Sequence, residues 1–201
     1  MTTALFWFRK DLRLKDNLAW AKACEAHRVH PVLVLEPELI SNAGSYRRRL
    51  FFLNVSALAA EIKSIGGELS VIQGPAKDVL PRYIRENSID CIYFNADTTP
   101  FSRHRDEQLA KDISIPINTF WSGLVHPPET VLTQKGEISK VFTPFYKKWV
   151  TLPTSPSIQE IRPTFVGFQQ NTRDEIQDLI PSTSDEGYKG ATERFERFLK
   201  V

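Results

Sequence analysis

Apolar residues fall along this chain in two alternating rhythms. Near-continuous apolar runs over 4–8, 29–35, 68–72, 90–95 and 115–120 read as strands buried on both faces, as parallel strands are. Between them the spacing turns helical. Leu18, Ala21 and Cys24 place a helix over 16–27, with Asp16 as its cap. Phe51, Val55, Leu58, Ile62 and Ile65 step by fours and threes down one face of a longer helix, which Gly66 and Gly67 end. Val79, Tyr83 and Ile84 mark a third helix, and Thr99-Pro100 supplies the cap and first turn of a fourth, running to about residue 112. Strand and helix in strict alternation predict an α/β fold: a Rossmann-like five-stranded parallel sheet with helices on both faces, over residues 1–125.

Beyond it the pattern breaks. Residues 126–182 read as loop and linker: Pro127-Pro128, a turn at Lys135-Gly136 and a short helix from Thr143-Pro144 through Trp149. Pro153, Pro156, Pro163 and Pro181 then lie scattered among polar residues. Ala191, Phe195 and Phe198 within 183–201 begin a further helix whose apolar stripe finds no partner in the sequence and would favour self-association if exposed.

In an open α/β sheet, ligands bind beyond the carboxyl ends of the strands where the strand order reverses. With the reversal between the first and fourth strands, Arg9, Asp11 and Arg13 flank one side of that mouth and Asn95 and Asp97 the other. Phe8, Phe101 and the 50–53 region would supply apolar walls for a flat, polar-edged ring system. Asp11 and Arg13 read equally well as an ion-pair lattice holding the turn, and Asn95 as a turn residue. Arg103, His104 and Arg105 read as an exposed charged face. Arg47, Arg48 and Arg49 read as a solvated run opposed to the helix dipole, with a functional part for one of them.

Composition narrows the chemistry. The 201 residues carry a net charge of +2, too little for a protein dedicated to nucleic acid unless a local patch supplies the contact. Two cysteines, Cys24 and Cys91, and four histidines show no metal-ligand spacing, so neither a metal site nor a disulfide framework is expected. There is no GxGxxG, no P-loop, no HExxH and no nucleophile elbow, and no catalytic set is legible. Charges from Arg9 to Lys15 interrupt the opening apolar run, so no signal peptide or membrane span is expected, and the protein reads as soluble and cytoplasmic.

Several segments carry a family resemblance. Residues 8–17, FRKDLRLKDN, resemble the WFRxDLRxxDN opening of the DNA photolyase and cryptochrome family. Residues 49–53 resemble its RxxFL helix opening, and residues 95–106 its NxDxxPxxRxRD segment. Pro127 to Thr133, with Gly136 and Lys140 to Tyr146, is similar to its PPxxVLTxxGxxYKVFTPFYxxW block, with Ser139 where tyrosine is usual and Trp149 in place.

The resemblance implies an amino-terminal domain that holds a light-harvesting antenna chromophore. It also implies a following helical domain, entered over 183–201, that binds FAD and repairs pyrimidine dimers in UV-damaged DNA by electron transfer to a flipped-out lesion. Phe101-Ser102 stands where folate-binding members have an Asn-Glu pair, and Asp97 matches an aspartate used for deazaflavin or flavin. A deazaflavin or flavin antenna is therefore favoured over methenyltetrahydrofolate, with Arg9, Arg49 and Asp97 as contacts beside Phe8 and Phe101. Because the FAD pocket would lie outside these residues, the chain alone is expected to repair nothing. Trp7, Trp20, Trp121 and Trp149 are expected to pack rather than relay electrons. The alternatives are a cryptochrome-type photoreceptor domain and a stand-alone nucleotide-binding α/β protein. The latter would carry a glycine-rich loop where Asp97-Thr98-Thr99-Pro100 stands.

Overall fold

A computed structural model describes residues 2–154, 158, 161–166 and 188–200. The first strand, β1 (Thr3–Phe8), is buried at every position and leads through a charged turn to α1 (Leu18–Ala26). There follow β2 (Arg28–Leu35), a short α2 (Pro37–Ser41), and the long α3 (Ser45–Ser64). Then come β3 (Ser70–Gln73), α4 (Ala76–Glu86), β4 (Cys91–Asn95), α5 (Pro100–Asp112) and β5 (Ile117–Phe120). The strands lie in the order β3-β2-β1-β4-β5, every pair parallel. The order reverses between β1 and β4, as is usual for a doubly wound sheet.

Two apolar layers cover the sheet because successive side chains on a strand point to opposite faces. Ala4, Phe6 and Phe8 pack with Trp20 of α1 and Val55, Leu58 and Ile62 of α3. Leu5 and Trp7 turn the other way, against Val79, Leu80 and Ile84 of α4 and Leu109 of α5.

Four local expectations are corrected. The cap of α1 is Asn17, whose side chain accepts the Trp20 N–H at 3.2 Å; Asp16 precedes it in a left-handed conformation, φ 49°. The loop expected after β2 begins with helix α2, nucleated by Pro37 in its first turn. The sheet has a sixth strand, β6 (Thr164–Phe165), inside the stretch expected to be linker, pairing in parallel with Arg28–Val29 of β2. It fills the part of that edge which β3, starting opposite Val32, leaves uncovered. Finally, Ile65 lies just past the end of α3 and is 38% exposed, and the buried stripe of the helix ends at Ile62.

Past β5 the Lys135-Gly136 turn forms, with Gly136 at φ 78°, and the short helix is α6 (Phe142–Trp149). Helix α7 (Tyr188–Leu199) exposes Phe195 and Phe198. Pro156 and Pro181, named above as linker residues, lie outside the described residues.

Candidate functional site

The chain turns sharply at the end of β1, and Arg9 turns inward. Its Nη1 donates to both carboxylate oxygens of Asp106 on α5, at 2.6 and 2.8 Å, and its Nη2 donates to the Asn95 carbonyl at 2.8 Å. The guanidinium also lies 5.2 Å from the Trp7 ring centre and 4.7 Å from that of Phe94. Burial pushes its pKa down while Asp106 pulls it back up, and arginine remains charged throughout.

A second arginine sits above it. Arg105 Nη1 donates to Glu36, the residue just past β2, at 2.6 Å, and its guanidinium stacks 4.5 Å from the Trp7 ring and 5.6 Å from Phe101. Both partners are about nine-tenths buried, with side-chain exposures of 9% and 10%. Asp97 completes the set. It receives the Lys10 ammonium at 2.8 Å, the Thr99 N–H at 3.2 Å and the Ser102 hydroxyl at 3.1 Å. Burial alone would raise its pKa, but those three donors and the Lys10 charge outweigh it and hold the carboxyl at about 2.

A cleft of about 520 Å³ opens over these groups, at the carboxyl ends of β1 and β2 and beside the segment following β4. That size lies within the range of roughly 300–1,000 Å³ usual for small-molecule sites. Trp7, Val34 and Leu35 form apolar wall on the sheet side, Phe101 at the start of α5, and Leu39, Ile40, Phe51 and Phe52 on the side of α2 and α3. Arg47 and Arg48 open onto it from the first turn of α3.

Among the residues singled out from the sequence, Arg9, Asp97 and Phe101 line this cleft together. Phe8 does not. It is fully buried on the opposite face of the sheet against Phe6 and Trp20, and the strand's alternation gives its expected place to Trp7. Arg49 is also outside the cleft lining and exposed, because the helix turns it away from the face that carries Arg48 and Phe52.

Asp11 and Arg13 hold the turn rather than the cleft. Asp11 accepts the Arg9 N–H at 3.2 Å and a bond from Asn95 Nδ2, while Arg13 donates to the carbonyls of Asp16 and Ser122, each at 2.9 Å. Asn95 also donates to the buried Asn17 Oδ1 at 2.7 Å, so one polar knot ties the β1 turn, the α1 cap and the end of β4.

Trp7, Glu36 and Arg105 were not assigned to the cleft from sequence. Glu36 carried a usable signal, since it is the first residue past a strand adjacent to β1 and lies at the same sheet edge. Arg105, expected on an exposed face, is buried by its pairing with Glu36.

Other chemistry finds no setting among the described residues. No group of three His, Cys, Asp or Glu side chains could hold a metal ion, and no helix is long and apolar enough to cross a membrane. Burial pushes the Cys24 thiol up to about 12 and that of Cys91 to about 11, far from thiolate reactivity at neutral pH.

A sheet with a walled cleft at its point of reversal defines the class: an open α/β domain of the doubly wound kind. A profile of the DNA photolyase family matches residues 4–163. The chain belongs to that family and corresponds to its amino-terminal α/β domain.

It is 31% identical over 191 residues to an uncharacterized 31.6 kDa protein from Synechococcus sp. PCC 6716, an alignment covering 92% of this chain and 66% of that protein. It is 30% identical over 155 residues to a deoxyribodipyrimidine photo-lyase from another Synechococcus strain, PCC 6301, covering 74% of this chain and 32% of the relative. The crystal structure of an archaeal photolyase from Sulfolobus tokodaii superposes with a TM-score of 0.76 at 28% identity, over 90% of this chain and 42% of that one. That structure is described as holding two FAD molecules, with the implication of a novel light-harvesting cofactor. The chain therefore spans about a third of the length of the photo-lyase it matches and two-fifths of the solved archaeal structure.

Proposed function

We propose that this chain is the light-harvesting domain of a photolyase, holding an antenna chromophore of the flavin or deazaflavin kind in the cleft at the sheet's reversal. The observation that carries the reading is the cleft itself. Stacked side chains, Arg105 on Trp7 beside Phe101, offer a flat surface, and polar groups at Glu36 and Asp97 stand at its margin. Such a site suits a planar aromatic ring with polar edges. The two-flavin description of the Sulfolobus relative supports a flavin over methenyltetrahydrofolate. When bound, the chromophore supplies light absorption; the protein's part is to hold the ring, fix its orientation and keep water from its faces.

In this reading the excitation passes to FAD in a helical domain, where pyrimidine dimers in UV-damaged DNA are repaired. The 201 residues alone leave such dimers unrepaired, because the reduced flavin that supplies the electron belongs to that other domain. Repair under light by the isolated chain would overturn this part.

Titrating the chain with FMN, FAD, a deazaflavin and methenyltetrahydrofolate, followed by chromophore fluorescence, tests the site. Saturable flavin or deazaflavin binding, weakened by Asp97→Ala, is expected. Binding unchanged by Asp97→Ala overturns the placement, and exclusive binding of the folate overturns the choice of chromophore.

A further inference from the structure

We infer that α2 is a lid on the cleft, hinged at both ends, and that Leu39 is the side chain it closes onto the occupant. The inference rests on the proposed flavin reading for what the lid closes on; its geometry comes from α2 itself. A helix of five residues, Pro37–Ser41, is far below the length that holds itself together in water, so its shape depends on what it packs against. It packs against little. None of its residues is buried, and Glu36 at its start makes no side-chain capping bond. Half-buried Ile40 is its one contact with the apolar layers of the sheet.

Its polar bonds are as local. Ile40 donates its N–H to the Glu36 carbonyl at 3.2 Å, Asn42 to the Glu38 carbonyl at 3.1 Å and Ala43 to the Ile40 carbonyl at 3.2 Å. The Ser41 hydroxyl donates to the Glu38 carbonyl at 3.1 Å. Among the described residues, no hydrogen bond or ion pair ties a residue of 37–43 to any residue outside 36–43. The two ends, by contrast, are fixed. Glu36 is held by Arg105 at 2.6 Å, and α3 is anchored by buried Phe52, Val55 and Leu58. Gly44 joins the lid to α3, and a Cβ added there would meet nothing within 4 Å, so the joint has room to swing.

The face that α2 gives to the cleft is apolar: Leu39 and Ile40, with Ala43 behind them, line it together with Trp7 and Phe101. Leu39 is 48% exposed, an apolar side chain left open to water beside an aromatic-walled cavity. A planar ring in the cleft covers that surface, and the apolar area removed from water draws the lid down. Closure in turn shuts water away from the ring.

Hydrogen exchange of the full 201-residue chain, read by NMR with and without FMN or a deazaflavin, whichever binds tighter, tests the lid. In the free chain the Ile40, Asn42 and Ala43 amides should exchange about a hundredfold faster than those of Leu58 and Ile62 in α3, and saturating flavin should slow them about tenfold. Leu39→Ala should weaken flavin binding about five- to tenfold, mainly through faster release, and remove most of that slowing. Leu39→Met, which keeps an apolar contact of similar volume, should restore both. Glu38→Gln, outside the cleft lining, should change neither.

A bound flavin with α2 amides that exchange as slowly as those of α3, or that it leaves unchanged, overturns the lid and leaves the flavin reading standing. Binding unaffected by Leu39→Ala overturns the part given to Leu39. Failure of both FMN and the deazaflavin to bind overturns the flavin reading and the inference with it.

Discussion

Arg9 and Asp106 stand 97 positions apart in sequence and meet in a bond in which one guanidinium nitrogen reaches both carboxylate oxygens, at 2.6 and 2.8 Å. The pair joins the end of β1 to the middle of α5, on opposite sides of the sheet's reversal. Arg9 is almost wholly enclosed, its side chain 7% exposed. Removing the carboxylate strands a buried cation. Asp106→Ala is therefore expected to cost roughly 3–5 kcal/mol in urea denaturation. Arg9→Lys should recover only part of the pairing, since an ammonium cannot also span to the Asn95 carbonyl in the same plane. A loss below 1 kcal/mol for Asp106→Ala would contradict this assignment.

Asp97 gives an acid signature. Its carboxyl is held at about 2 against an ordinary value of 3.8. Its contribution to stability is complete above pH 3.8, shrinks as the pH falls, and is gone below about 2. Asp97→Asn should consequently lower the denaturation midpoint at pH 7, and the two proteins should converge as the pH approaches 2. A constant gap between them across that window would show that the three donors do not favour the charged form.

His30 acts in a different window. It is buried in β2 beside Tyr83, and burial first, then the Arg28 charge, lowers its pKa below 6.5. The folded protein refuses a proton that the unfolded chain accepts, so stability declines as the pH drops below about 6.5. His30→Gln should flatten that decline. Comparing unfolding midpoints at pH 7.5 and pH 5 measures it, and equal slopes in both proteins would rule it out.

Gly67 tests the sixth strand. A Cβ placed there would lie 2.5 Å from the Phe165 ring, a distance neither atom tolerates. Gly67→Ala is expected to displace β6 at a cost of about 1–3 kcal/mol. Faster amide exchange at Val166, whose N–H donates to the Val29 carbonyl at 3.4 Å, should accompany it. The double variant with Phe165→Ala removes the clash, so the two effects should combine non-additively. Simple additivity would place the obstruction elsewhere.

Much of this architecture was legible in the residues. The apolar runs marked five strands, the reversal between the first and fourth is the one usual for this fold class, and Thr99 caps α5 as its sequence predicts, accepting the Ser102 N–H. The cleft was legible as a place but less so as a set of side chains. Because β1 is buried on both faces, its sequence has no polar alternation to say whether Trp7 or Phe8 turns toward the opening. Three consecutive arginines likewise conceal which of them a helix presents to a cavity, and here Arg49 is the one turned away. Arg105 and Glu36 are each ordinary surface residues by type. Only the fold, bringing them together across 69 positions, makes them a buried pair. β6 was invisible for a simpler reason: two residues just after Arg162-Pro163 are too few to show a period.

That small strand has an effect out of proportion to its length. By occupying the lower margin of β2, Thr164–Phe165 closes a row of backbone donors and acceptors that would otherwise be open to any passing extended peptide. The returning chain thus leaves less of the sheet's margin free for polymerisation, since it covers the end of β2 that β3 does not reach.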